Sequence, residues 1–517
     1  VTGTVAALVT ALRSKRTLAV SLLSFSSGLP LGLVWYAIPD WMRDIGVDIQ
    51  VVGLLTLAQA PWTFKVLWAP LMDRYVPPFW GRRRGWMAVT QVALAVLGLL
   101  LAGVGERPEA IWVVGALALA IALASATQDI AIDAYAVEVL RKDEQGAAVG
   151  ARLAFYRAAM VVSGGAAISL AARIGWPAVN GLLAAVYLPM LVLTWRSPEP
   201  DVQPPPPPTL RDAIWMPFLG FLRRPRAIEI LAFVLLYKFA DQLTQSLTRP
   251  FLIDMGYSAD HRGIALATVS VAATILGAFI GGFVTTLVGL GPALWIFGFL
   301  QIFSNAGYLL LAVLPEPNLA AMYGATSFEV FTSGLGTGAF GVLLLRLTEK
   351  RFSATQYALF SSLFALPRVI AGPITGFAVA AAGWPAFFVS TIVLGIPGLV
   401  MLARFVPPGV REPDLDAGDE PGRVPVVSGA ALARGAIGAV LVFVAGAAIV
   451  AWLSAGSAPG EGPGASVGFA GAFNRVWHPV VLADWIQLLG LVACAIVGGL
   501  FIGARYAAAA GREPHRQ

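Results

Sequence analysis

The chain of 517 residues has a single cysteine, Cys494, and three histidines, His261, His478 and His515, far apart in the sequence. One thiol excludes a disulfide framework, and no His/Cys spacing suits a metal. Charge is scarce as well: 12% of residues are charged against 58% hydrophobic, far from the balance of a soluble domain. No Gly-rich Lys-Ser/Thr phosphate loop and no Gly-x-Ser-x-Gly elbow occurs, so nothing supports an enzyme and no cofactor is expected. The first apolar run lacks a small-residue cleavage site and more runs follow it, so it reads as a retained helix, not a signal peptide. A chain that opens on Val1 reads as one whose initiator is missing or whose start codon is not AUG.

What the chain has is long apolar runs, each near the ~20 residues that cross a bilayer. Its basic residues gather in alternate loops: Arg13, Lys15 and Arg16; Arg82, Arg83 and Arg84; Arg141 and Lys142; Arg223, Arg224 and Arg226; Lys350 and Arg351; Arg505 and Arg512. Roughly 25 basic residues fall on one side and roughly 5 on the other, the positive-inside pattern of a polytopic membrane protein. The formal charge of +6 is explained by topology and calls for no nucleic acid. Spans are expected at about 17–39, 50–72, 86–104, 110–137, 149–172, 176–195, 227–252, 262–289, 292–314, 318–347, 354–381, 384–405, 431–454 and 480–504. Fourteen crossings put both termini on the cytoplasmic side.

Five segments follow. Residues 1–198 form a six-helix bundle. Residues 199–226 form a cytoplasmic linker, with five prolines at Pro204–Pro208 and an amphipathic stretch about Leu210 to Leu222 that should lie along the membrane surface. Residues 227–406 form a second six-helix bundle. Residues 407–430 are an acidic cytoplasmic linker, and 431–517 add a helix pair and tail. The loop from Ser457 to Asn474, rich in Gly and Pro, is expected to be mobile.

The two bundles repeat. Glu138, Gln145, Arg157 and Gly165 share one offset with Glu349, Gln356, Arg368 and Gly376, and Gly175-Trp176-Pro177-Ala178 recurs as Gly383-Trp384-Pro385-Ala386. Duplicated halves are an architecture of alternating access.

Charges inside a bilayer cost about 2.5–3.5 kcal/mol each at a helix centre on insertion scales, so they persist where they face a partner or a wet cavity. In the first half these are Lys65, Asp129, Asp133 and Arg157; Asp129 and Asp133, four apart, share a helix face. Their signs balance, which suits either a structural ion-pair cluster or a gate that breaks on opening. The second half has Lys238 and Asp241 on one face, Glu329 near mid-membrane and Arg368. Lys238, Asp241 and Glu329 would face a central path, where Asp241 or Glu329 could carry a proton; a Lys–Asp pair that merely holds its helix is the alternative. Gly334, Gly336 and Gly338 suit either a bending gate helix or tight packing. Trp35, Tyr36 and Trp41 could stack on a sugar ring or anchor the helix at the interface. Asp73 and Arg74, followed by Arg82, Arg83 and Arg84, could latch the halves by salt bridges in one state; the corresponding second-half loop, Gly281 to Pro292, keeps glycines and lacks the charges.

This inner loop resembles that of the major facilitator superfamily, with extra residues between its Asp-Arg and Gly-Arg parts. The chain further resembles the AmpG muropeptide permeases, a branch of that superfamily related to acetyl-CoA transporters. The resemblance spans about residues 17–405. It is carried by Phe25-Ser26-Ser27-Gly28-Leu29-Pro30, by Lys65-Val66-Leu67-Trp68-Ala69-Pro70-Leu71-Met72-Asp73-Arg74, and by Ala126-Thr127-Gln128-Asp129-Ile130-Ala131-Ile132-Asp133-Ala134-Tyr135. Lys238 with Asp241, Phe328-Glu329, Gly336-Thr337-Gly338-Ala339-Phe340 and Phe352-Ser353-Ala354-Thr355-Gln356-Tyr357-Ala358-Leu359 complete it. It implies a monomeric importer in the inner membrane of Gram-negative bacteria. The cargo would be N-acetylglucosaminyl-1,6-anhydro-N-acetylmuramic acid, with or without stem peptide, driven by the proton gradient. Such uptake serves cell-wall recycling and, indirectly, β-lactamase induction. Transport of another bulky anion, such as a CoA ester or nucleotide, and a non-transporting scaffold are the competing readings.

Overall fold

The computed structural model describes residues 13–48, 52, 55–201, 203–224, 226–413, 415, 429–454, 469–479 and 482–510. Among these it is helical throughout, without strands. That follows from the composition: in lipid each backbone N–H and C=O must be satisfied within its own segment, which a helix does. Eleven described helices are long and apolar enough to cross a membrane. Numbered by their order among the expected spans, these include the first (Lys15–Asp44), third (Arg82–Val104), fifth (Gln145–Ile174), sixth (Trp176–Arg196), eighth (Ala259–Val288), ninth (Leu290–Val313) and tenth (Leu319–Leu347). The fourth is Ile111–Val139.

Two expected continuous spans are broken instead. The second runs as short pieces, among them Ala60–Phe64, a 3₁₀ turn at Lys65–Leu67, and Ala69–Arg74. Pro61 and Pro70 each sit in a first turn, where the missing N–H is tolerated and continuation of the preceding turn is not. The seventh divides into Ala227–Leu236, Phe239–Ser246 and Thr248–Asp254. Its breaks are at Lys238 (φ −108°, ψ 1°) and Leu247 (φ −119°, ψ 18°). The first break puts Lys238 at an N-cap and Asp241 in the first turn, where the helix dipole favours an acid.

The eleventh and twelfth spans run together as Ser353–Phe405, folded back at Gly383. Gly383 has φ 78° and ψ 168°, and Gly175, its counterpart in the repeated tetrapeptide, has φ 80° and ψ 157°. Both φ values are ones an L side chain rarely adopts. The sequence repeat is thus one turn made twice.

The amphipathic stretch forms the helix Leu210–Leu222, with Thr209 as N-cap accepting from the Asp212 N–H at 3.1 Å. It does not simply lie on the surface. Pro217, Phe218, Leu219, Phe221 and Leu222 are buried. Gln356 Nε2 donates to the Pro217 carbonyl at 3.0 Å, and Phe221 meets Phe360 with ring centres 4.9 Å apart. On another side Phe218 meets Phe501, 5.2 Å away, on the final helix Leu482–Ala510. That helix crosses its partner Gly429–Ser454 at Gly435, Gly499 and Gly503, small residues that let the backbones close up. Of the loop expected to be mobile, 469–474 belongs to the helix Phe469–Trp477, and 457–468 lies outside the described residues.

Burial divides the molecule lengthwise. At the end bearing the basic loops one apolar core runs through both halves, from Val20, Met72 and Tyr135 to Phe233, Phe340 and Phe360. At the opposite end the described residues form two cores: Trp41, Leu101 and Trp176 in the first half, and Phe251, Tyr308 and Phe388 in the second.

Candidate substrate path and inner latch

The first-half charges sit on three helices. Asp133 on the fourth accepts from Lys65 Nζ at 3.1 Å and from Arg152 on the fifth; Asp129, one turn away, accepts from the Ser27 hydroxyl on the first. Below Ser27, Gln128 Nε2 donates to Ser26 Oγ at 2.6 Å. Lys65 lies at the 3₁₀ turn between prolines, so the break in the second span delivers its amine to the fourth. Arg152 fills the place expected for Arg157. Arg157 is exposed, five residues further along the fifth helix, and touches Met160 Sδ at 4.0 Å. A long apolar run with two arginines offered both; only depth along the helix separates them. The side chain of Arg368 lies outside the described residues.

In the second half, Lys238 Nζ donates to Asp241 Oδ2 at 3.0 Å and to the carbonyl and hydroxyl oxygens of Ser333 at 2.7 and 3.1 Å. Gln245 Nε2 donates to Ser333 Oγ at 3.1 Å and to Glu329 Oε1 at 2.9 Å. Asp241, Lys238, Ser333, Gln245 and Glu329 therefore form one chain between the broken seventh span and the tenth helix. Lys238 and Glu329 are each 1% exposed, and Glu329 Oε2 has no hydrogen-bond partner among the described residues. Ser333 and Gln245 carry no charge, and so no signal in the sequence marked them.

The glycines of the tenth helix face two ways. A Cβ on Gly334 would lie 2.8 Å from the Thr274 carbonyl oxygen, and one on Gly338 2.7 Å from the Gly282 nitrogen, both on the eighth helix. Gly336 abuts Gln301 on the ninth. Of the aromatics, Trp41 is fully buried and stacked on Trp176 at 5.5 Å, so it has no face for a sugar; Trp35 stands edge-on to Trp62 at 6.4 Å, and Tyr36 is exposed.

At the basic end Asp73 is 0% exposed and is the hub. Its Oδ1 accepts from Arg82 and Arg83, each at 2.7 Å. Its Oδ2 accepts from the Thr355 N–H at 2.8 Å and the Thr355 hydroxyl at 2.7 Å. Thr355 is in the first turn of Ser353–Phe405, so a carboxylate of one half caps a helix of the other. Arg83 also donates to Glu138 and to Ser353 Oγ, both at 2.7 Å, and Arg82 to the Arg351 carbonyl at 3.0 Å. Among the described residues Arg74 and Arg84 make no contact across the halves: Arg74 lies over Tyr75, and Arg84 binds Glu199 and the Ser197 carbonyl. A cavity of about 230 Å³ between this loop and the proline run is lined by Trp80, Arg82, Arg84 and Tyr135.

Comparison with known proteins gives the family and the fold. Residues 20–372 match the Major Facilitator Superfamily model. The anhydromuropeptide permease of Escherichia coli K12 is 42% identical over 393 residues, 75% of this chain and 79% of that one. An uncharacterized protein of Haemophilus influenzae is 34% identical over 408 residues, 76% and 95% of the two chains. Two solved structures share the fold. The human organic anion transporter MFSD10 has TM-score 0.54 and 17% identity, covering 77% of this chain and 99% of its own. A bacterial homologue of the iron transporter ferroportin, outward-facing, has TM-score 0.57 and 13% identity, covering 75% and 98%. The chain therefore belongs to the major facilitator superfamily and, within it, to the anhydromuropeptide permease family: a multi-pass membrane transporter and not an enzyme.

Proposed function

We propose that this transporter carries anhydro-muropeptides, N-acetylglucosaminyl-1,6-anhydro-N-acetylmuramic acid with or without stem peptide, into the cytoplasm by alternating access coupled to protons. The cargo is argued from the 42% identity to the Escherichia coli permease. The same kinship argues for a bacterial inner membrane and a part in cell-wall recycling, with its indirect effect on β-lactamase induction. The basic end is taken as cytoplasmic, with both termini there and fourteen crossings in all: 1–198 and 227–406 as the moving bundles, 199–226 and 407–430 as inner linkers, and 431–517 as an added pair.

One observation carries the mechanism: a single core and a charged latch join the halves at the basic end, while separate cores serve the opposite end. That is the form of a transporter open outward and closed inward. Within it, Glu329 is the favoured proton carrier over Asp241. Asp241 is engaged by Lys238, whereas Glu329 holds its site through the neutral Gln245 and keeps Oε2 free for a proton. The protein acts as a monomer in this scheme.

The test is uptake of labelled anhydro-disaccharide into proteoliposomes, with and without an imposed proton gradient. Gradient-driven accumulation that Glu329→Gln abolishes, with exchange retained, is the expected result. Accumulation indifferent to the gradient removes the proton; no uptake at all removes the cargo.

A further inference from the structure

Among the described residues Arg157 is a cation without an acid. The other cations of the path whose side chains are described each have an acid, Lys65 and Arg152 in Asp133 and Lys238 in Asp241, while the acid Glu329 is held by the neutral Gln245. Among the described residues Arg157 has only the 4.0 Å contact to Met160 Sδ. It is nevertheless twelve residues into a membrane-crossing helix, about 18 Å from its basic end at 1.5 Å per residue. A guanidinium at that depth is costly unless it meets water or an anion.

The helix face says which. Arg157 lies seven residues, or two turns, from Gly150, and so on nearly the same face. Gly150 packs on the eighth helix of the other half, where its Cβ would lie 2.7 Å from the Phe279 carbonyl oxygen. The face turned to the first helix is a different one, carrying Tyr156 and Met160 against Gly28 and Gly32. Two turns above the contact, towards the end where the halves have separate cores, Arg157 thus stands exposed on the side facing the other half.

We infer that Arg157 binds the carboxylate of the cargo, which enters as an anion and supplies the missing counter-charge. This rests on the muropeptide reading, whose simplest member bears the free lactyl carboxylate of anhydro-N-acetylmuramic acid. A planar guanidinium matches a carboxylate with two parallel hydrogen bonds, and lysine lacks that fork.

Binding to the purified full-length protein in detergent tests it, by calorimetry with two probes: the anhydro-disaccharide acid and its neutral lactyl methyl amide. The wild type is expected to prefer the acid by about tenfold, the scale of one charge-assisted pair. Arg157→Gln should bind both probes alike, at the affinity the wild type has for the amide, and Arg157→Lys should keep part of the preference. The side chain is exposed, so neither variant removes a buried contact, and Arg157→Lys retains the charge should the glutamine variant fold poorly. An undiminished preference for the acid in Arg157→Gln overturns the assignment, as does a wild type without preference; both leave the cargo reading intact. A wild type that binds neither probe overturns the cargo reading and the assignment together.

Discussion

The two halves meet at the basic end along two seams that the internal repeat makes equivalent, and the seams are built from opposite materials. Where the second span meets the start of the eleventh, Asp73, Arg82, Arg83, Glu138, Ser353 and Thr355 form a buried polar lattice. Where the eighth meets the start of the fifth, glycine lies on glycine: a Cβ on Gly282 would lie 2.5 Å from the Gly150 nitrogen, and one on Gly146 2.7 Å from the Gly282 carbonyl oxygen. The first seam is directional. Its ion pairs, Asp73 with Arg82 and Arg83 and Arg83 with Glu138, lie within the first half; the bonds that cross run from these groups to Ser353, Thr355 and the Arg351 carbonyl, and an opened seam must hand each of those to water. The second is close backbone packing, with Thr286 beside Gly146 and Phe283 against Ala147, and can part or slide with small change in hydrogen bonding. A transporter that rocks between states needs one contact that holds and one that yields, and duplication followed by divergence supplied both.

This comparison can be broken from either side. The largest effect is expected for Asp73→Asn, which takes a fully buried charge from between two arginines. Across the seam that charge accepts from the Ala354 and Thr355 N–H groups and from the Thr355 hydroxyl; hydrogen bonds to a charged group contribute about 1.5–3 kcal/mol each, so weakening them together should open the inner end. Spin-label pairs placed across it, in a Cys494→Ser background, should show the longer separation as the main population. Gly282→Ala attacks the other seam. The added methyl meets backbone, and overpacking of that kind costs about 1–3 kcal/mol; the same label pairs should report a partial shift. If instead Gly282→Ala opens the inner end further than Asp73→Asn, the roles of latch and yielding seam are reversed.

How much of this was legible in the sequence differs from residue to residue. Asp73, Arg82 and Arg83 stood out because acid and arginines in a short inner loop have few uses. The second span was expected whole, although Pro61 and Pro70 were there to signal its breaks. The break at Lys238 had no such sign, for neither proline nor glycine marks it; it comes with contacts to Ser333, which no local pattern encodes. Asp129 and Asp133 share a face, as their spacing requires, yet bind different partners, because helix periodicity gives direction and leaves the neighbour open. The repeat drew attention to Arg157 over Arg152, since an interval shared by two halves records ancestry and topology before it records contact. The linker helix was readable as amphipathic, but that it packs between the inner ends and the final helix depends on tertiary neighbours.

Smaller changes sharpen the picture. Gly175→Ala and Gly383→Ala force a side chain to φ near 80° at equivalent turns, costing about 1–2 kcal/mol each; detergent thermal melts should show similar losses for the two, since the turn is shared, whereas the seams are not. Thr355→Val removes one hydroxyl bond to Asp73 and leaves the backbone N–H in place. About 1 kcal/mol is expected, a modest rise in the inward-open population. An effect as large as that of Asp73→Asn would mean the hydroxyl, and not the carboxylate's charge, holds the latch.

The most direct test of the account is a distance measurement on the wild-type arrangement. Spin labels on the two halves at the basic end, and a second pair at the opposite end, are read by pulsed dipolar spectroscopy without cargo and then with saturating anhydro-disaccharide at acidic pH. The account predicts a short inner and a long outer distance in the first condition, and a cargo-dependent population in which the inner distance lengthens as the outer one shortens. An inner distance that stays fixed while cargo is transported would contradict it.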